Sequence, residues 1–413
     1  MTGGTLVFIT NSDINVKSGA SEARMWCYAK ALSSKGINTI FTSVSYAFLK
    51  YQEPILIEDN IYLLGKTNQN IKKKSRKALP LIKEFNFLSV IRYLRLLNLK
   101  FKDYKDLTFL LYPSNFALSI TTSIYLKILK KKKVFLEKNE LHLGIALNMP
   151  VPYGFKKTFY FPALLLQILI SALTDIIEIS FDGIICISTR LYKYYNFFYK
   201  NLILIPIITD IKLGGQIVHE KSHLDIFRIG YTGTITEKRD GIFTLIKAIS
   251  LIPKRENEIK CNLYGSITES NIKRLTLLIN KYKLNKVVTY FGNYEKGKVK
   301  LIQSEQNLLV LIRPSNLQTN FGFSTKLAEY LSSGVPVLTT RHSDISNYIV
   351  NGENGFILEK LDSEQLKNKL TEIITKDNDQ LNKIGEKGRL TALNHFNYIN
   401  YSEKLINFLK QKT

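Results

Sequence analysis

Short apolar runs alternate with longer helix-like segments along most of this sequence. Each run is rich in β-branched or aromatic residues and is bounded by turn-forming residues, which is the pattern of a strand buried on both faces. The strands predicted in this way occupy residues 5–10, 37–44, 107–112, 133–137, 181–188, 227–232, 259–264, 287–291, 308–312 and 335–339. Because helical stretches separate them at a spacing of about 25–30 residues in the second half, we predict α/β units with parallel sheets.

The alternation is interrupted between residues 206 and 226. Pro206 and a polar run at 219–223 break the periodicity without forming an element of their own. A chain of 413 residues is also too long for one ordinary core. We therefore predict two tandem α/β domains, at residues 1–205 and 227–390, joined by a linker at 206–226.

The cysteines and histidines indicate neither a disulfide nor a metal centre. Cys27, Cys186 and Cys261 lie in separate apolar contexts and lack the spacing of metal ligands. This pattern is typical of buried thiols in a reducing compartment. The five histidines are also scattered, and no pair has ligand spacing on one helix. We therefore predict that the protein uses neither a metal ion nor a bound cofactor.

The charge balance favours anionic partners. The chain has 58 Lys and Arg residues against 34 Asp and Glu residues, which gives a formal net charge of +24. Basic runs occur at 72–77 and 130–133, both in the first half. Nucleic acid is not the partner that we predict, because no recognisable module interleaves aromatic and basic residues. We predict phosphorylated substrates and an anionic membrane surface, with 72–77 either contacting lipid or forming a solvated insertion.

The most apolar segment, at 161–173, is too short to span a bilayer. It has about 13 residues, whereas a spanning helix needs roughly 20. Gln167, Ser171, Thr174 and Glu178 recur at helical spacing and form a narrow polar stripe. We predict a mostly buried helix, with a helix lying on the membrane as the alternative. No signal peptide is visible before the first strand, so we expect a cytoplasmic protein, peripheral at most on the inner face of the cell membrane.

One stretch in the second half combines a turn, a helix and a strand. The turn at 323–325 precedes a predicted helix at 326–333, which ends at a glycine. We expect Ser324 or Thr325 to cap the helix by accepting a backbone N–H hydrogen bond. The N–H groups of the first turn and the helix dipole then form a seat for a phosphate. Glu329, inside the helix, is placed to accept hydrogen bonds from the paired hydroxyls of a sugar.

A second informative stretch follows the predicted strand at 227–232. Gly233 brings the backbone close to a ligand, because a side chain there would block the approach. Lys238 or Arg239 then presents a cation before the next helix. Gly265 follows the neighbouring strand in the same way.

Together these stretches resemble the nucleotide-binding signature of the retaining glycosyltransferases of family 4. The resemblance covers residues 227–360 well, and residues 1–45 and 175–200 moderately. It implies the GT-B fold, with two Rossmann-like, doubly wound parallel-sheet domains that face a cleft. It also implies that the last segment, at 391–413, forms a helix that packs back on the N-terminal domain.

The activity implied by the resemblance is sugar transfer with retention of anomeric configuration and without a metal ion. The donor is a sugar linked to uridine or guanosine diphosphate, and the acceptor is a hydroxyl of a lipid-linked or oligosaccharide substrate. By association with the family, we expect a role in bacterial surface polysaccharide synthesis.

The resemblance also assigns site residues. Glu329 matches the acid that binds the donor ribose, and Arg239, with Lys238 as the alternative, matches a cation that neutralises the diphosphate. At the end of the strand at 133–137, His142 matches the residue that contacts the donor sugar, with Glu137 and Glu140 as rivals. The catalytic set is then His142, Arg239 and Glu329. The donor-binding set is Gly19, Gly233, Lys238, Arg239, Gly265, Phe323, Ser324, Thr325, Lys326 and Glu329.

Two positions depart from the family pattern. Phe321 lies eight residues before Glu329, where the family often has a second acid that contacts the donor sugar. Thr234 lies where the first cation often stands. Two alternatives stay open, the first because Glu137 and Glu140 could act as paired acids around the sugar and the second because of these two departures. One is a sugar-nucleotide epimerase on the same fold, and the other is a catalytically degenerate scaffold protein of a polysaccharide-assembly complex.

Overall fold

The computed structural model describes most of the chain and divides it into two compact units. The described residues are 4–10, 20–44, 53–64, 87–104, 106–112, 115–147, 157–211, 226–253 and 258–411. The first unit comprises Met1–Pro206 and Tyr398–Thr413, and the second unit comprises Ile207–Asn397. Gly19 and the basic run at 72–77 lie outside the described residues.

The first unit is built on an eight-stranded sheet. Its strands are β1 (Thr5–Thr10), β2 (Asn38–Ser43), β3 (Ile55–Glu58), β4 (Ile61–Leu64), β5 (Leu107–Leu111), β6 (Lys133–Lys138), β7 (Gly183–Cys186) and β8 (Leu202–Leu204). Their order across the sheet is β3-β4-β2-β1-β5-β6-β7-β8, and all neighbours are parallel except β3 and β4. β1 lies at the centre, where Val7 pairs with both Ile40 and Phe109. The chain therefore winds outward from β1 in both directions, as in a doubly wound sheet.

Helices cover this first sheet. They are α1 (Ala20–Ser33), α2 (Phe87–Lys100), α3 (Phe116–Thr122), α4 (His142–Leu147), α5 (Lys157–Ile177) and α6 (Thr189–Phe198). Helix α3 continues directly into a π-helix at Ser123–Leu129.

The second unit has a six-stranded sheet. Its strands are β9 (Phe227–Thr232), β10 (Ile259–Tyr264), β11 (Val288–Gly292), β12 (Leu308–Leu311), β13 (Val337–Thr340) and β14 (Phe356–Leu358). Their order is β11-β10-β9-β12-β13-β14, and all neighbouring pairs are parallel. The winding direction reverses between β9 and β12. Loops at the carboxyl ends of these two strands diverge there, which is where open α/β sheets bind ligands.

The helices of the second unit follow its strands in alternation. They are α7 (Glu237–Asp240), α8 (Ile242–Ser250), α9 (Glu269–Lys281), α10 (Val299–Ser304), α11 (Leu317–Phe321), α12 (Thr325–Ser332), α13 (Ser363–Ile374) and α14 (Asn378–Phe396). One core joins the sheet to the helices, with Tyr231 of β9, Ile246 of α8 and Leu370 of α13 all buried in it. The two parallel-sheet units agree with the fold class predicted from the sequence.

Several short strands are absent from the sequence prediction. β3 and β4 form a hairpin whose turn contains Asn60 with a φ of 54°, and β8 and β14 each have three residues. Runs of three or four residues are too short to show a periodic pattern. They become strands because a neighbouring strand is available for pairing in the folded unit. The predicted strand at 335–339 begins only at Val337, because Pro336 has no N–H group for the ladder.

The last helix, α15 (Ser402–Lys410), is part of the first unit. The ring of Phe408 lies 5.3 Å from that of Phe135 on β6, and the Lys404 ammonium donates to the carbonyl of Leu204 at 2.9 Å. A Cβ atom on Gly183 would lie 2.6 Å from Phe408 Cζ, so the absence of a side chain on β7 makes room for this ring. The predicted C-terminal segment begins at residue 391, but that residue lies inside α14 of the second unit. The chain returns to the first unit only at Tyr398.

All three cysteines are free and buried, as the sequence predicts. Burial raises the pKa of the Cys261 thiol to about 12. These thiols are therefore packing groups, because a buried thiol is rarely ionised and reacts slowly.

Truncation of Phe408 to alanine should destabilise the first unit. The side chain is buried against β6 and β7, so we expect its removal to lower the free energy of unfolding by about 3–5 kcal/mol. Urea denaturation followed by circular dichroism measures this loss. Ile399→Ala, at an exposed position, is the control. A loss below about 0.5 kcal/mol for Phe408→Ala, typical of surface positions, would contradict the packing of α15 on this sheet.

Candidate functional site

Two glycines at the carboxyl ends of β9 and β10 are in close backbone contact. Gly233 has a φ of 147° and Gly265 a φ of 131°, conformations that side chains rarely adopt. A Cβ atom on Gly265 would lie 1.9 Å from the carbonyl oxygen of Gly233. A Cβ atom on Gly233 would lie 2.4 Å from Cε of Lys326. The positive φ favours glycine at 233, and the end of the Lys326 side chain lies against the position that a Cβ atom would take.

Lys326 forms a half-buried ion pair beside these glycines. Its ammonium donates to the hydroxyl of Tyr231 at 2.5 Å and to Oδ1 of Asp240 at 3.0 Å. Burial lowers the pKa of Lys326, the carboxylate of Asp240 opposes this, and the charges of Arg313 and Arg239 lower the pKa further. Burial alone would raise the pKa of Asp240, but Lys326 and Arg313 outweigh it and hold that pKa below its usual range.

Arg313 completes this group, which we call the cation cluster: Arg239, Arg313, Lys326 and Asp240. Arg313 follows β12 and is buried, and its Nε donates to the backbone carbonyl of Arg239 at 2.9 Å. Lys326 thus pairs with Asp240 directly, and Arg313 and Arg239 act on this carboxylate as further positive charges. Burial and the charge of Arg313 lower the pKa of the nearby His342 to about 3, so this histidine adds no charge at neutral pH. The excess of positive charge favours an anion at this point.

Sequence reasoning did not single out Arg313. The sequence feature that could have identified it is an arginine directly after a fully apolar strand, at the edge of the sheet where ligands bind in this fold class. Asp240 was also missed, because its partner Lys326 is 86 residues away in the sequence.

Helix α12 starts at the same edge of the sheet. Ser324 is the N-cap residue, with a φ of −80° and a ψ of 120°, but its side chain does not make the capping hydrogen bond that the sequence predicts. The position of the helix is set instead by Tyr330. Its hydroxyl accepts from the N–H of Thr232 at 2.8 Å and donates to the carbonyl of Thr232 at 2.9 Å. Helix α12 is thereby fixed to the end of β9.

Glu329 lies one turn after Lys326 on α12. Burial, above all, and the charge of Glu329 raise the pKa of Tyr294. The rings of Tyr264 and Phe291 stack at 4.7 Å with an interplanar angle of 7°, and Tyr294 meets Tyr264 edge-on at 6.4 Å. Phe291 is 54% exposed. Aromatic side chains thus cluster at the ends of β10 and β11, within range of the charge of Glu329.

The other predicted donor-binding residues have different surroundings. Lys238 and Arg239 are exposed on the one-turn helix α7, which Gly241 ends with a φ of 61°. Phe323 is buried and stacks on Tyr348 at a centroid distance of 5.6 Å, which is a packing role. Thr325 is half-buried in the first turn of α12.

The two positions that depart from the family pattern lie at this edge as well. Thr234 is exposed, and its hydroxyl lies 3.1 Å from that of Ser266. Phe321 is the last residue of α11, which begins with a capping box between Asn316 and Thr319.

In the first unit, Glu137 is a buried partner of Arg24. The carboxylate lies 2.5 Å from Arg24 Nε and accepts a hydrogen bond from Tyr28 at 2.7 Å. Arg24 also donates to the carbonyls of Ile205, at 2.8 Å, and Pro206. Because its oxygens are occupied inside the unit, Glu137 is a structural residue. Its rival Glu140 is half-buried after β6.

His142 belongs to a second ionic group, the buried ion network of Lys138, His142, Asp175 and Glu178. His142 Nε2 lies 3.0 Å from Glu178 Oε1, and the Lys138 ammonium pairs with Glu178 and, at 2.7 Å, with Asp175. Burial would raise the pKa of Glu178, but the charges of Lys138 and His142 hold it well below its usual range. Conversely, Glu178 and Asp175 overcome the effect of burial and raise the pKa of Lys138.

The ligand atoms of His142, Asp175 and Glu178 lie within 4.8 Å of one another, a spacing that could hold a metal ion. However, the Lys138 ammonium already pairs with both carboxylates. The arrangement fits an internal ion network better than a metal centre. The sequence did not reveal this grouping, because β6, α4 and α5 meet only in the folded unit.

Comparison with solved structures identifies the fold class. Sucrose-phosphate synthase from Thermosynechococcus elongatus aligns with a TM-score of 0.73 at 16% identity, over 99% of this chain and 98% of that one. HepE of Anabaena, solved in complex with UDP and glucose, aligns with a TM-score of 0.63 at 14% identity, over 98% of this chain and 99% of that one. The fold is therefore the GT-B type that the sequence predicts.

Comparison of sequences concerns mainly the second unit. Residues 223–391 match the family model described as glycosyl transferases group 1. CapM of Staphylococcus aureus, a capsular polysaccharide biosynthesis glycosyltransferase, is 30% identical over 189 residues, which is 45% of this chain and 47% of that protein. The matched region thus spans about half of this relative. These matches support a relationship to glycosyltransferase group 1.

Replacement of Lys138 by methionine should destabilise the first unit strongly at neutral pH. Asp175 and Glu178 would then lose the ammonium that pairs with both, and we expect a loss of about 3–5 kcal/mol. The loss should shrink as the pH is lowered toward 5, because without Lys138 the pKa of Glu178 rises and protonation removes a buried charge. Urea denaturation at several pH values measures both effects.

Lys130→Met, at an exposed position on the same unit, is the matched control for that substitution. We expect it to change stability by less than about 0.5 kcal/mol at every pH. An equal and small effect of both substitutions would contradict the buried ion network.

Proposed function

We propose that this protein is a glycosyltransferase that moves a sugar from a nucleotide-diphosphate sugar to an acceptor hydroxyl with retention of configuration. The observation that carries the proposal is the cation cluster at the switch point of the second sheet, one helical turn from Glu329. Its three positive charges are only partly neutralised by Asp240, so the cluster suits a diphosphate.

The surrounding groups suit the remainder of a nucleotide. Glu329 can accept hydrogen bonds from the ribose hydroxyls, and the base can stack on the exposed face of Phe291. The N–H groups in the first turn of α12 add donors for the phosphates. His142 is the group of the first unit that we assign to the donor sugar, with its imidazole oriented by Glu178.

Departure of the nucleotide diphosphate develops negative charge in the transition state. Arg239, Arg313 and Lys326 can stabilise this charge without a metal ion, and fixed cations of this kind lower the barrier more than they strengthen substrate binding. In the proposed front-face displacement, the C–O bond from the sugar to the phosphate breaks as the acceptor oxygen forms its bond on the same face. The leaving phosphate oxygen accepts the proton of the acceptor hydroxyl.

The biological setting is part of the same proposal. The relative CapM is a capsular polysaccharide biosynthesis glycosyltransferase, and the structural neighbour HepE was solved with UDP and glucose. We therefore propose a UDP- or GDP-linked donor and a lipid-linked or oligosaccharide acceptor in surface polysaccharide synthesis, at the inner face of the cell membrane.

Substitutions in the second unit test the donor site. Glu329→Gln should weaken binding of the nucleotide sugar about tenfold to a hundredfold, because hydrogen bonds to a charged group contribute about 1.5–3 kcal/mol. Arg239→Ala should lower kcat by about 10²–10³, as expected for the loss of one stabilising charge. Isothermal titration calorimetry and transfer kinetics measure the two effects, with the donor chosen by a thermal-shift screen of nucleotide sugars.

Glu353→Gln and Lys298→Met are matched controls on exposed positions of the same unit. Both should behave as the unmodified protein. Activity near wild type in both Glu329→Gln and Arg239→Ala would contradict the assignment of these two residues to the donor site. If the unmodified protein bound no nucleotide sugar at all, the scaffold alternative would replace the proposal.

The product separates transfer from the epimerase alternative. With donor and acceptor present, we expect an α-linked product from an α-linked donor, as read from the anomeric proton coupling in the NMR spectrum. With donor alone, we expect no epimerised nucleotide sugar. An inverted linkage would contradict retention, and an epimerised donor would favour the other enzyme.

A further inference from the structure

The outward face of α5 is apolar. Phe161, Leu165, Leu166, Leu169, Leu173 and Ile176 follow one another at helical spacing and are all exposed, with Phe161 at 73% and Ile176 at 63%. The inward face carries Gln167, Ser171, Thr174 and Asp175, which are all buried. A surface helix in water normally has the opposite arrangement. The structure therefore contradicts the prediction that this apolar segment is mostly buried.

The buried ion network fixes this orientation. Asp175, on α5, and Glu178, directly after it, both pair with Lys138 of β6. The hydroxyl of Tyr195 on α6 also donates to Asp175 at 3.3 Å. A rotation of α5 that buried its leucines would leave Lys138 without its partners, and an unpaired buried charge is strongly destabilising. The apolar face consequently points outward.

Helix α6, whose Tyr195 contacts Asp175 of α5, carries exposed aromatic side chains of its own. Tyr194, Phe197 and Phe198 are exposed, Phe197 at 82%. Their rings contact one another, at 4.9 Å between Phe197 and Phe198 and 5.8 Å between Tyr194 and Phe198. Exposed aromatic clusters of this kind are typical of surfaces at the boundary between lipid headgroups and acyl chains.

The exposed charges of the same region have one sign. Between residues 161 and 200, the acids are Asp175, Glu178 and Asp182, and all three are buried and paired with cations. The basic residues of that range, Arg190, Lys193 and Lys200, are all exposed. The outer surface of α5 and α6 is thus apolar and positively charged.

We propose that this α5–α6 face lies on the surface of an anionic lipid bilayer. The leucines and phenylalanines would reach the boundary between headgroups and acyl chains, while the basic residues contact lipid phosphates. None of the described helices has the length and hydropathy of a membrane span, and the buried polar stripe of α5 agrees with a helix that lies in the interface.

A second copy of the chain is a poorer occupant for this face. In a two-fold dimer the same surface meets itself, so Arg190, Lys193 and Lys200 would face their own copies without an exposed acid of 161–200 to pair with. An anionic bilayer complements these charges. The inference concerns the partner in the proposed function, but lipid binding itself needs no sugar transfer.

Vesicle flotation of the full chain tests the proposal. We expect binding to phosphatidylcholine vesicles that contain phosphatidylglycerol, severalfold weaker binding to phosphatidylcholine alone, and a decrease as salt is added. The double substitution Leu169→Glu with Phe197→Glu should reduce the bound fraction at least tenfold, because it places acids in the apolar face. Lys193→Glu should weaken binding to the anionic vesicles alone.

Leu277→Glu is the matched control, since Leu277 is 68% exposed on α9 of the second unit. It should bind vesicles like the unmodified protein. Unchanged binding in the double variant, or equally weak binding of the unmodified protein to both vesicle types, would overturn the proposal. A concentration-dependent dimer in light scattering that the double variant abolishes would assign the face to a second copy instead.

Transfer to a water-soluble acceptor separates this inference from the proposed function. The double variant should retain that activity and its thermal unfolding midpoint while losing vesicle binding. If the unmodified protein bound vesicles but transferred no sugar, the proposed function would be contradicted. The proposal of a membrane-binding face would not be affected.

Discussion

The ammonium of Lys138, buried between two carboxylates, determines the arrangement of the first unit. Removing charges from water is costly, and their mutual attraction offsets this cost only when the geometry is closely satisfied. Asp175 and Glu178 meet that requirement because they lie at the end of α5, next to the strand that carries Lys138. The ion network thus fixes both the rotation of α5 and the position of His142, which contacts Glu178.

The second unit also has an ion pair at the carboxyl ends of its strands, between Lys326 and Asp240, but the balance of charge around it is different. In the first unit, two carboxylates surround one lysine, and a histidine completes the group. In the second unit, three positive charges act on one carboxylate. The first group is satisfied internally, whereas the second has positive charge left over. This difference is why we assign the anionic part of a substrate to the cation cluster, although both groups lie at the carboxyl ends of parallel strands.

The sequence predicted most of the framework, because the central strands and the helix of Glu329 have strong local signals. β1, β9 and β10 have the predicted bounds, and α12 begins one residue earlier than predicted. Strands β3, β4, β8 and β14 were missed because three or four residues contain no period. Lys326 was noted as a first-turn cation, but its pairing with Asp240 and the role of Arg313 depend on contacts between distant segments. No local pattern reports such contacts.

The orientation of α5 shows a further limit of sequence patterns. A period of 3.6 residues identifies which side chains share one face of a helix, but it does not state which face turns inward. The inward face is determined by the contacts that the rest of the unit can make. Here Lys138 pairs with Asp175 on the polar face of α5, so the polar face turns inward. The rule that apolar faces turn inward assumes water as the solvent outside. On the α5–α6 face the apolar residues, the aromatic residues and the unbalanced positive charge are all accounted for if the outer solvent is a lipid interface.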